Sequence, residues 1–326
     1  MAEPVAGAGD EFGLIRRYFA PLTPGGEGIA LGIGDDCALL QPPPGEQLAM
    51  TSDTLVSGRH FPRETAPYDI GWKALAVNLS DLAAMGARPW TFTLALTLPD
   101  ADARWLGEFA RGLAALARAS GIRLVGGDTT RGPLSITITA LGLVPPGKAL
   151  RRDGARLGDL VCVTGTLGDA ALALRFWQRG RAPASDDEQA LRARLDRPTP
   201  RNAAGLGLRG IANAALDLSD GLVGDLGHIC AASGVGAELD PAALPASPAF
   251  SRCVDPAAAP ELQLAGGDDY ELCVCVPPAL LADARRACGD LPLTVVGRIG
   301  SGSGVRLRDA TGAIVDASLH AYRHFS

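Results

Sequence analysis

IRLVGGDTTRGPLSITITALGLVPPG, residues 122–147, carries the pattern that decides the fold class. Ile122 to Val125 reads as a short strand that ends in Gly126-Gly127-Asp128. Leu134 to Val144 alternates in the way of a second strand. Pro145, Pro146 and Gly147 break that alternation, and a charged turn follows from Arg151 to Asp159. A domain boundary is therefore placed after residue 148, giving domains 1–148 and 149–326. Upstream, Asp102 reads as the N-cap of a helix that runs to about Ser120 and stops at Gly121. Thr91 to Leu98 alternates, with Phe92, Leu94, Leu96 and Leu98 on one face. Tyr68 to Met85 has helical spacing, Leu48 to Thr51 reads as a strand running into Ser52-Asp53, and Glu11 to Ala20 as a short amphipathic helix. Downstream, strands are expected at Leu160–Thr164, Ala215–Leu218, Glu271–Val276 and Leu293–Val296. A helix is expected at Leu167–Arg179, with a polar loop from Gly180 to Asp187. Strands mixed with helices in both halves define an α/β (α+β) class with two mixed domains.

Composition narrows the function classes. The chain has 326 residues, 47% of them apolar, enough for two buried cores. The net charge is −6, and Lys73 and Lys148 are its two lysines. No basic stripe marks a nucleic-acid surface, and no apolar run approaches a membrane span. Met1 to Asp10 shows neither a cationic start nor an apolar stretch, so no signal peptide is expected. The seven cysteines contain no C-x-x-C pair; Cys273 and Cys275 are expected on one face of a strand as buried free thiols. These readings point to a cytoplasmic protein.

The informative feature is a set of aspartates at breaks in the pattern. They occur in Gly34-Asp35-Asp36, Thr51-Ser52-Asp53, Asn78-Leu79-Ser80-Asp81, Gly126-Gly127-Asp128, Asp217-Leu218-Ser219-Asp220-Gly221 and Gly266-Gly267-Asp268-Asp269. Any one of them serves as a cap or a turn residue. As a set, several follow apolar strands directly, where α/β proteins place ligands. Gathered together they would repel, by on the order of 4 kcal/mol per pair at ~4 Å and an effective dielectric of 20. Divalent cations remove that cost, and oxygen-only donors such as Asp, Thr51, Ser52 and Ser219 favour Mg²⁺.

Other motifs fail on detail. Gly142 to Lys148 matches G-x-x-x-x-G-K, but Ala149 stands where Ser or Thr is needed, and Pro145 and Pro146 lack amide donors. His320 and His324 lie four apart with no H-E-x-x-H pattern, and read as a surface pair. No G-x-S-x-G elbow is present.

Seven stretches carry a family resemblance: Glu11 to Ile15, Gly32 to Leu40 (GIGDDCALL), Thr51 to Val56 (TSDTLV), Lys73 to Gly86 (KALAVNLSDLAAMG), Gly126 to Pro133 (GGDTTRGP), Leu216 to Leu222 (LDLSDGL) and Gly266 to Leu272 (GGDDYEL). In this order they resemble the thiamine-monophosphate kinases. The resemblance implies the fold of aminoimidazole ribonucleotide synthetase and selenophosphate synthetase, and a homodimer paired through the N-terminal sheets. It implies ATP as co-substrate, Mg²⁺ ions, and transfer of a phosphoryl group to thiamine phosphate. The N-terminal domain would bind ATP and magnesium and dimerise; the C-terminal domain would complete the nucleotide and substrate site. Position by position, Asp36, Thr51, Ser52, Asp53, Asp81, Asp128, Asp217 and Asp220 would serve magnesium. Gly127, Asp128, Arg152 and Ser219 would contact ATP, and His60, Asp268 and Tyr322 the thiamine phosphate. Asp268 stands where the family often has Glu, and Asp35 is an alternative to Asp36. No side-chain base or nucleophile is expected, because a phosphate monoester with a second pKa near ~6 is already a dianion at neutral pH. A related cyclo-ligase of purine synthesis and a non-catalytic nucleotide-binding module remain as alternatives.

Overall fold

The computed structural model describes residues 11–23, 25–308 and 313–316. The chain divides into two compact units, Met1–Leu82 with Arg88–Pro146, and Ala83–Ala87 with Gly147–Ser326.

In the first unit, α1 (Glu11–Leu14) continues through a π-helical turn (Ile15–Phe19) into a 3-10 turn (Ala20–Leu22), where the sequence predicts one helix. β1 (Ile29–Leu31) and β2 (Leu39–Leu40) form an antiparallel ribbon. Then come β3 (Gln47–Val56), α2 (Pro67–Ala84), β4 (Arg88–Leu98), α3 (Ala103–Ser120), β5 (Arg123–Arg131) and β6 (Ser135–Val144). The sheet order is β3-β6-β4-β5; β4 and β5 are parallel, joined by the α3 crossover, and the other pairs are antiparallel. α3 has the expected ends: the Asp102 carboxylate accepts the N–H groups of Arg104 and Trp105, and Gly121 closes the helix at φ 67°.

Two strands run past their expected ends. β3 continues through Thr51-Ser52-Asp53, and β5 through Gly126-Gly127-Asp128. Both gain a full ladder of partners, Gln47–Val144 to Val56–Ser135 for β3 and Thr91–Arg123 to Leu98–Arg131 for β5. That pairing outweighs the weak strand preference of Asp and Gly. Phe92, Leu94, Leu96, Ile136 and Ile138 are buried, as are Leu75, Leu79 and Leu82 of α2 and Leu106, Phe109 and Leu113 of α3.

The second unit holds β7 (Leu160–Thr164), α4 (Asp169–Gln178), α5 (Asp186–Asp196), α6 (Asn202–Leu208), β8 (Ala214–Asp217), α7 (Leu222–Ser233) and β9 (Gly236–Leu239). It continues with α8 (Pro248–Cys253), α9 (Ala259–Ala265), β10 (Leu272–Val276), α10 (Leu281–Ala287), β11 (Leu293–Gly300), β12 (Gly304–Arg308) and β13 (Ile314–Asp316). The strand order is β13-β12-β9-β11-β7-β10-β8. β10 is buried on both faces. Cys273 and Cys275 pack with Leu222, Leu226 and Ile229 of α7, while Leu272, Val274 and Val276 pack with Leu208 and Ala284 of α6 and α10. This is why its sequence reads as an unbroken apolar run. All seven cysteines are free thiols, and burial pushes the Cys162 and Cys230 thiols up, to about 12 and about 11. Among the described residues, no helix is long and apolar enough to cross a membrane.

α2 and α3 approach so closely that a Cβ on Gly112 would lie 1.9 Å from the Tyr68 carbonyl oxygen. One turn earlier, at Gly107, the nearest atom to such a Cβ is 3.8 Å away, on the Tyr18 ring. Gly112→Ala is therefore expected to cost about 1–3 kcal/mol through overpacking. Gly107→Ala in the same helix should be neutral or stabilise by up to about 1 kcal/mol. Urea denaturation of the two variants checks the contrast, and equal midpoints would contradict it.

Candidate active site

In the first unit the site is built on β3 and α2. Thr51, Asp53 and Leu55 alternate on the face toward the core, and Ser52, Thr54 and Val56 are exposed on the other. The expected ligand Ser52 thus lies opposite Asp53, its hydroxyl 2.9 Å from that of Thr139. On α2, Asn78 and Asp81 are three residues apart and share a face. The buried Asn78 side chain accepts the Asp53 N–H at 3.2 Å and donates to the Ala74 carbonyl at 3.1 Å. Asp81 accepts the Thr51 hydroxyl. Asp53 and Asp81 meet across this seam. Burial first, then the Asp81 charge and their shared hydrogen bond, push the Asp53 carboxyl up to about 6.

The remaining first-unit candidates surround this pair at greater distance. Gly127 shares a cross-sheet row with Leu94, Ile138 and Asp53, three strand spacings or ~14 Å away at about 4.8 Å each. Asp128 follows it and is exposed. His60 accepts the Val56 N–H at Nδ1 (2.9 Å) in the turn that ends β3, so its Nε2 carries the proton in the neutral ring. In the exposed turn between β1 and β2, Asp35 Oδ1 accepts the Asp36 N–H at 2.8 Å. That contact engages one Asp35 oxygen, and both Asp35 and Asp36 stay as alternatives.

In the second unit, Asp217 ends β8 opposite Leu272. Beyond it, Leu218 donates to the Glu271 carbonyl, Tyr270 to that of Leu218 and Asp268 to that of Ser219, at 2.8, 2.8 and 2.9 Å. These bonds hold the Ser219–Gly221 loop beside the Gly266–Tyr270 loop. Asp268 and Tyr270 adopt left-handed φ of 66° and 49°, a strained backbone for non-glycine residues. Arg152 is exposed, and its carbonyl accepts the Ser233 hydroxyl at 2.9 Å. Tyr322, with His320 and His324, lies outside the described residues. Gly142–Lys148 passes from β6 into a turn with no helix after it, so no phosphate loop forms there.

Two groups of interactions emerge that the sequence reading did not single out, although Asp269 stands in one of its aspartate motifs. Asp225, in the first turn of α7, accepts the N–H groups of Ser219, Asp220 and Gly221, each at 3.1 Å. Burial pushes its carboxyl up to about 7, against those amides. The only signal in the sequence is an acidic residue in a helix's first turn. The second group is an ion network under the Gly266–Tyr270 loop. Glu271 is fully buried between Arg201 (Nε at 2.7 Å) and Arg194 (2.8 Å) and accepts the Thr164 hydroxyl at 2.7 Å. Asp269 accepts the Gly168 N–H, and burial raises its carboxyl well above the usual range.

Among the described residues, no three His, Cys, Asp or Glu side chains come together as a metal-holding group. What the first unit offers is two carboxyl groups and a hydroxyl. That donor set fits Mg²⁺, which keeps several waters and binds through one or two carboxylates plus substrate phosphates.

This fold, with carboxylates on a strand, on the helix beside it and in strand-end loops, defines a protein related to AIR synthase. Residues 34–144 match the model of the AIR synthase related protein N-terminal domain, and residues 156–310 that of its C-terminal domain. The chain is 50% identical over 293 residues to the thiamine-monophosphate kinase of Escherichia coli K12, covering 89% of this chain and 90% of that one. The thiamine-monophosphate kinase structure from Stenotrophomonas maltophilia K279a superposes with a TM-score of 0.87 at 52% identity, over 92% of this chain and 97% of the other. A structure of AaThiL complexed with AMPPCP and TMP matches with a TM-score of 0.77 at 31% identity, over 100% of both chains. The chain belongs to the thiamine-monophosphate kinase family.

The raised Asp53 carboxyl has a measurable consequence in metal-free protein. A shift from 3.8 to about 6 corresponds to on the order of 3 kcal/mol. The folded state keeps this proton after the unfolded chain has lost it, so stability falls as pH rises from about 4 to about 6. Asp81→Asn removes the neighbouring charge and is expected to lower the Asp53 midpoint, leaving the part due to burial. Carboxyl ¹³C NMR titration checks this, and an unmoved midpoint would contradict the pairing.

Proposed function

We propose that this chain is an ATP-dependent thiamine-monophosphate kinase, which transfers the γ-phosphoryl group of ATP to thiamine phosphate and yields thiamine diphosphate and ADP. The observation that carries the reading is the 50% identity to a thiamine-monophosphate kinase, spread over 89% of the chain. It favours this activity over a purine-type cyclo-ligase or a silent nucleotide-binding module.

In the proposed mechanism no side chain acts as base or nucleophile, since the acceptor phosphate is already a dianion. The obstacle is repulsion between two polyanions. Mg²⁺ held by the chain's own residues would supply the charge neutralisation that two polyanions need. Thr51, Asp53 and Asp81 are the residues best arranged to hold it, and the carboxyl crowding that raises Asp53 is what a cation relieves. Asp36, Asp128, Asp217 and Asp220 are assigned to further metal contacts. Ser52, on the far face of β3, retains only a secondary claim. Gly127, Asp128, Arg152 and Ser219 are assigned to ATP, and His60, Asp268 and Tyr322 to thiamine phosphate. The chain's own contribution is to align donor and acceptor for in-line transfer. Free thiols buried in the core suit a reducing compartment, so a cytoplasmic location is part of the proposal.

Asp53→Asn and Asp128→Asn are each expected to lower phosphoryl transfer by roughly a hundredfold or more, as loss of a preorganised charge contact does, with circular dichroism unchanged. The assay is ADP formation from ATP and thiamine phosphate, with and without Mg²⁺. Near-wild-type turnover in both variants at ordinary Mg²⁺ would overturn the metal assignment. No transfer by the wild-type protein would overturn the activity.

The outer face of β3 exposes Leu48, Met50 and Val56, with Met50 71% exposed. This apolar strip on the sheet supports a homodimer formed through the first units. Sedimentation equilibrium at micromolar concentration should give the dimer mass, and Met50→Asp should shift it toward monomer. A monomeric wild-type protein would remove this part of the proposal.

A further inference from the structure

Asp225 is unusual for what it holds. The residue is 5% exposed, and one carboxyl oxygen, Oδ2, takes the N–H groups of three successive residues, Ser219, Asp220 and Gly221. Three amides turned on one point fix a loop's shape, because each lost bond leaves a donor without its acceptor. The same loop is tied on its other side, where the Ser219 carbonyl accepts the Asp268 N–H at 2.9 Å. The fit is tight there: a Cβ on Gly267 would lie 2.4 Å from that carbonyl oxygen. One buried carboxyl therefore stands behind two loops. Those loops carry Ser219, Asp220 and Asp268, which are assigned above to nucleotide, metal and thiamine phosphate.

We infer that Asp225 is a positioning residue for substrate binding in the second unit, setting the Ser219–Gly221 loop that presents the nucleotide and metal contacts. It touches neither substrate nor metal itself. The inference rests on the proposed kinase activity for its assay, though not for its geometry. Replacing Asp225 by Asn keeps the size but puts an NH₂ donor in place of one carboxyl oxygen, and Asp225→Ser withdraws the acceptor from all three amides. The loop's support is weakened while the packed base of α7, Leu222, Leu226 and Ile229, is retained.

The test compares Asp225→Asn and Asp225→Ser with Leu191→Ala. Leu191 is buried in the cluster of α4, α5, α8 and α9, apart from the α7 cluster, and is assigned to no substrate or metal contact. For both Asp225 variants the expected result is a KM for Mg-ATP raised about tenfold or more, a higher Mg²⁺ concentration for half-activation, and a smaller change in kcat. Leu191→Ala should lower the Tm and leave the KM unchanged when assayed below that Tm. If the Asp225 variants lower the Tm but keep the wild-type KM and Mg²⁺ requirement, Asp225 is structural only and the inference fails. Should wild-type protein show no transfer to thiamine phosphate, the activity fails alone. Calorimetric Mg-ATP binding by the same three variants then decides the positioning role on the same tenfold criterion.

Discussion

Two half-buried carboxyl groups held together place a constraint on the first unit. Asp53 and Asp81 come from β3 and α2, and the seam that joins them is otherwise ordinary: an Asn78 amide on a strand N–H and a Thr51 hydroxyl on a carboxylate. Removing the Asp53 proton near neutral pH leaves a repulsion that folding alone does not relieve. Sequences optimised for stability avoid such arrangements, and those that keep them have a use for the charge. Of the 30 basic residues two are lysines, so arginine supplies nearly all of the chain's fixed positive charge. Under the proposed function, a divalent cation held at the pair would relieve its repulsion.

The second unit solves a related problem with internal cations. Asp169, Asp269 and Glu271 are buried close together, and Arg194 and Arg201 are the countercharges. A buried network of this kind contributes little net stability compared with apolar packing. Its effect is to lock the Gly266–Tyr270 loop in a backbone form that Asp268 and Tyr270 would not adopt alone. The network lies beneath the loop and the assigned contacts lie on it, so rigidity is supplied from residues that need not meet a ligand.

How much of this was legible depended on whether local and distant signals agreed. α3 was readable to its ends because cap, periodicity and terminal glycine all concur. β10 was readable because burial on both faces leaves an uninterrupted apolar run. β3 and β5 were read as too short. Their extra residues are Asp, Ser, Thr and Gly, which are strands only because β6 and β4 supply partners across the sheet. The aspartate motifs were visible as motifs, and Asp53 with Asp81 is a pairing that the motifs alone did not specify. Strand alternation places the Ser52 side chain on the face of β3 opposite Asp53, a separation that the tripeptide motif does not display. Asp225 and Glu271 were missed because their partners are backbone amides and arginines that converge only on folding.

The position of Asp225 also bears on how phosphate is handled. Successive amides pointing inward at the start of a helix form a hollow suited to an anion, and many nucleotide-binding folds leave it open for phosphate. In this chain the hollow before α7 is filled by its own carboxyl group. The helix dipole and the loop amides are satisfied internally and are not offered to a ligand there. The Gly142–Lys148 stretch offers no substitute, with prolines where amide donors would stand. What this loop presents instead is Ser219 and Asp220, a hydroxyl and a second carboxylate. Under the proposed function, such a surface suits phosphate carried with a divalent cation better than bare phosphate. The carboxyl-filled hollow and the crowded Asp53–Asp81 pair then favour the same form of nucleotide, the metal complex, by separate means.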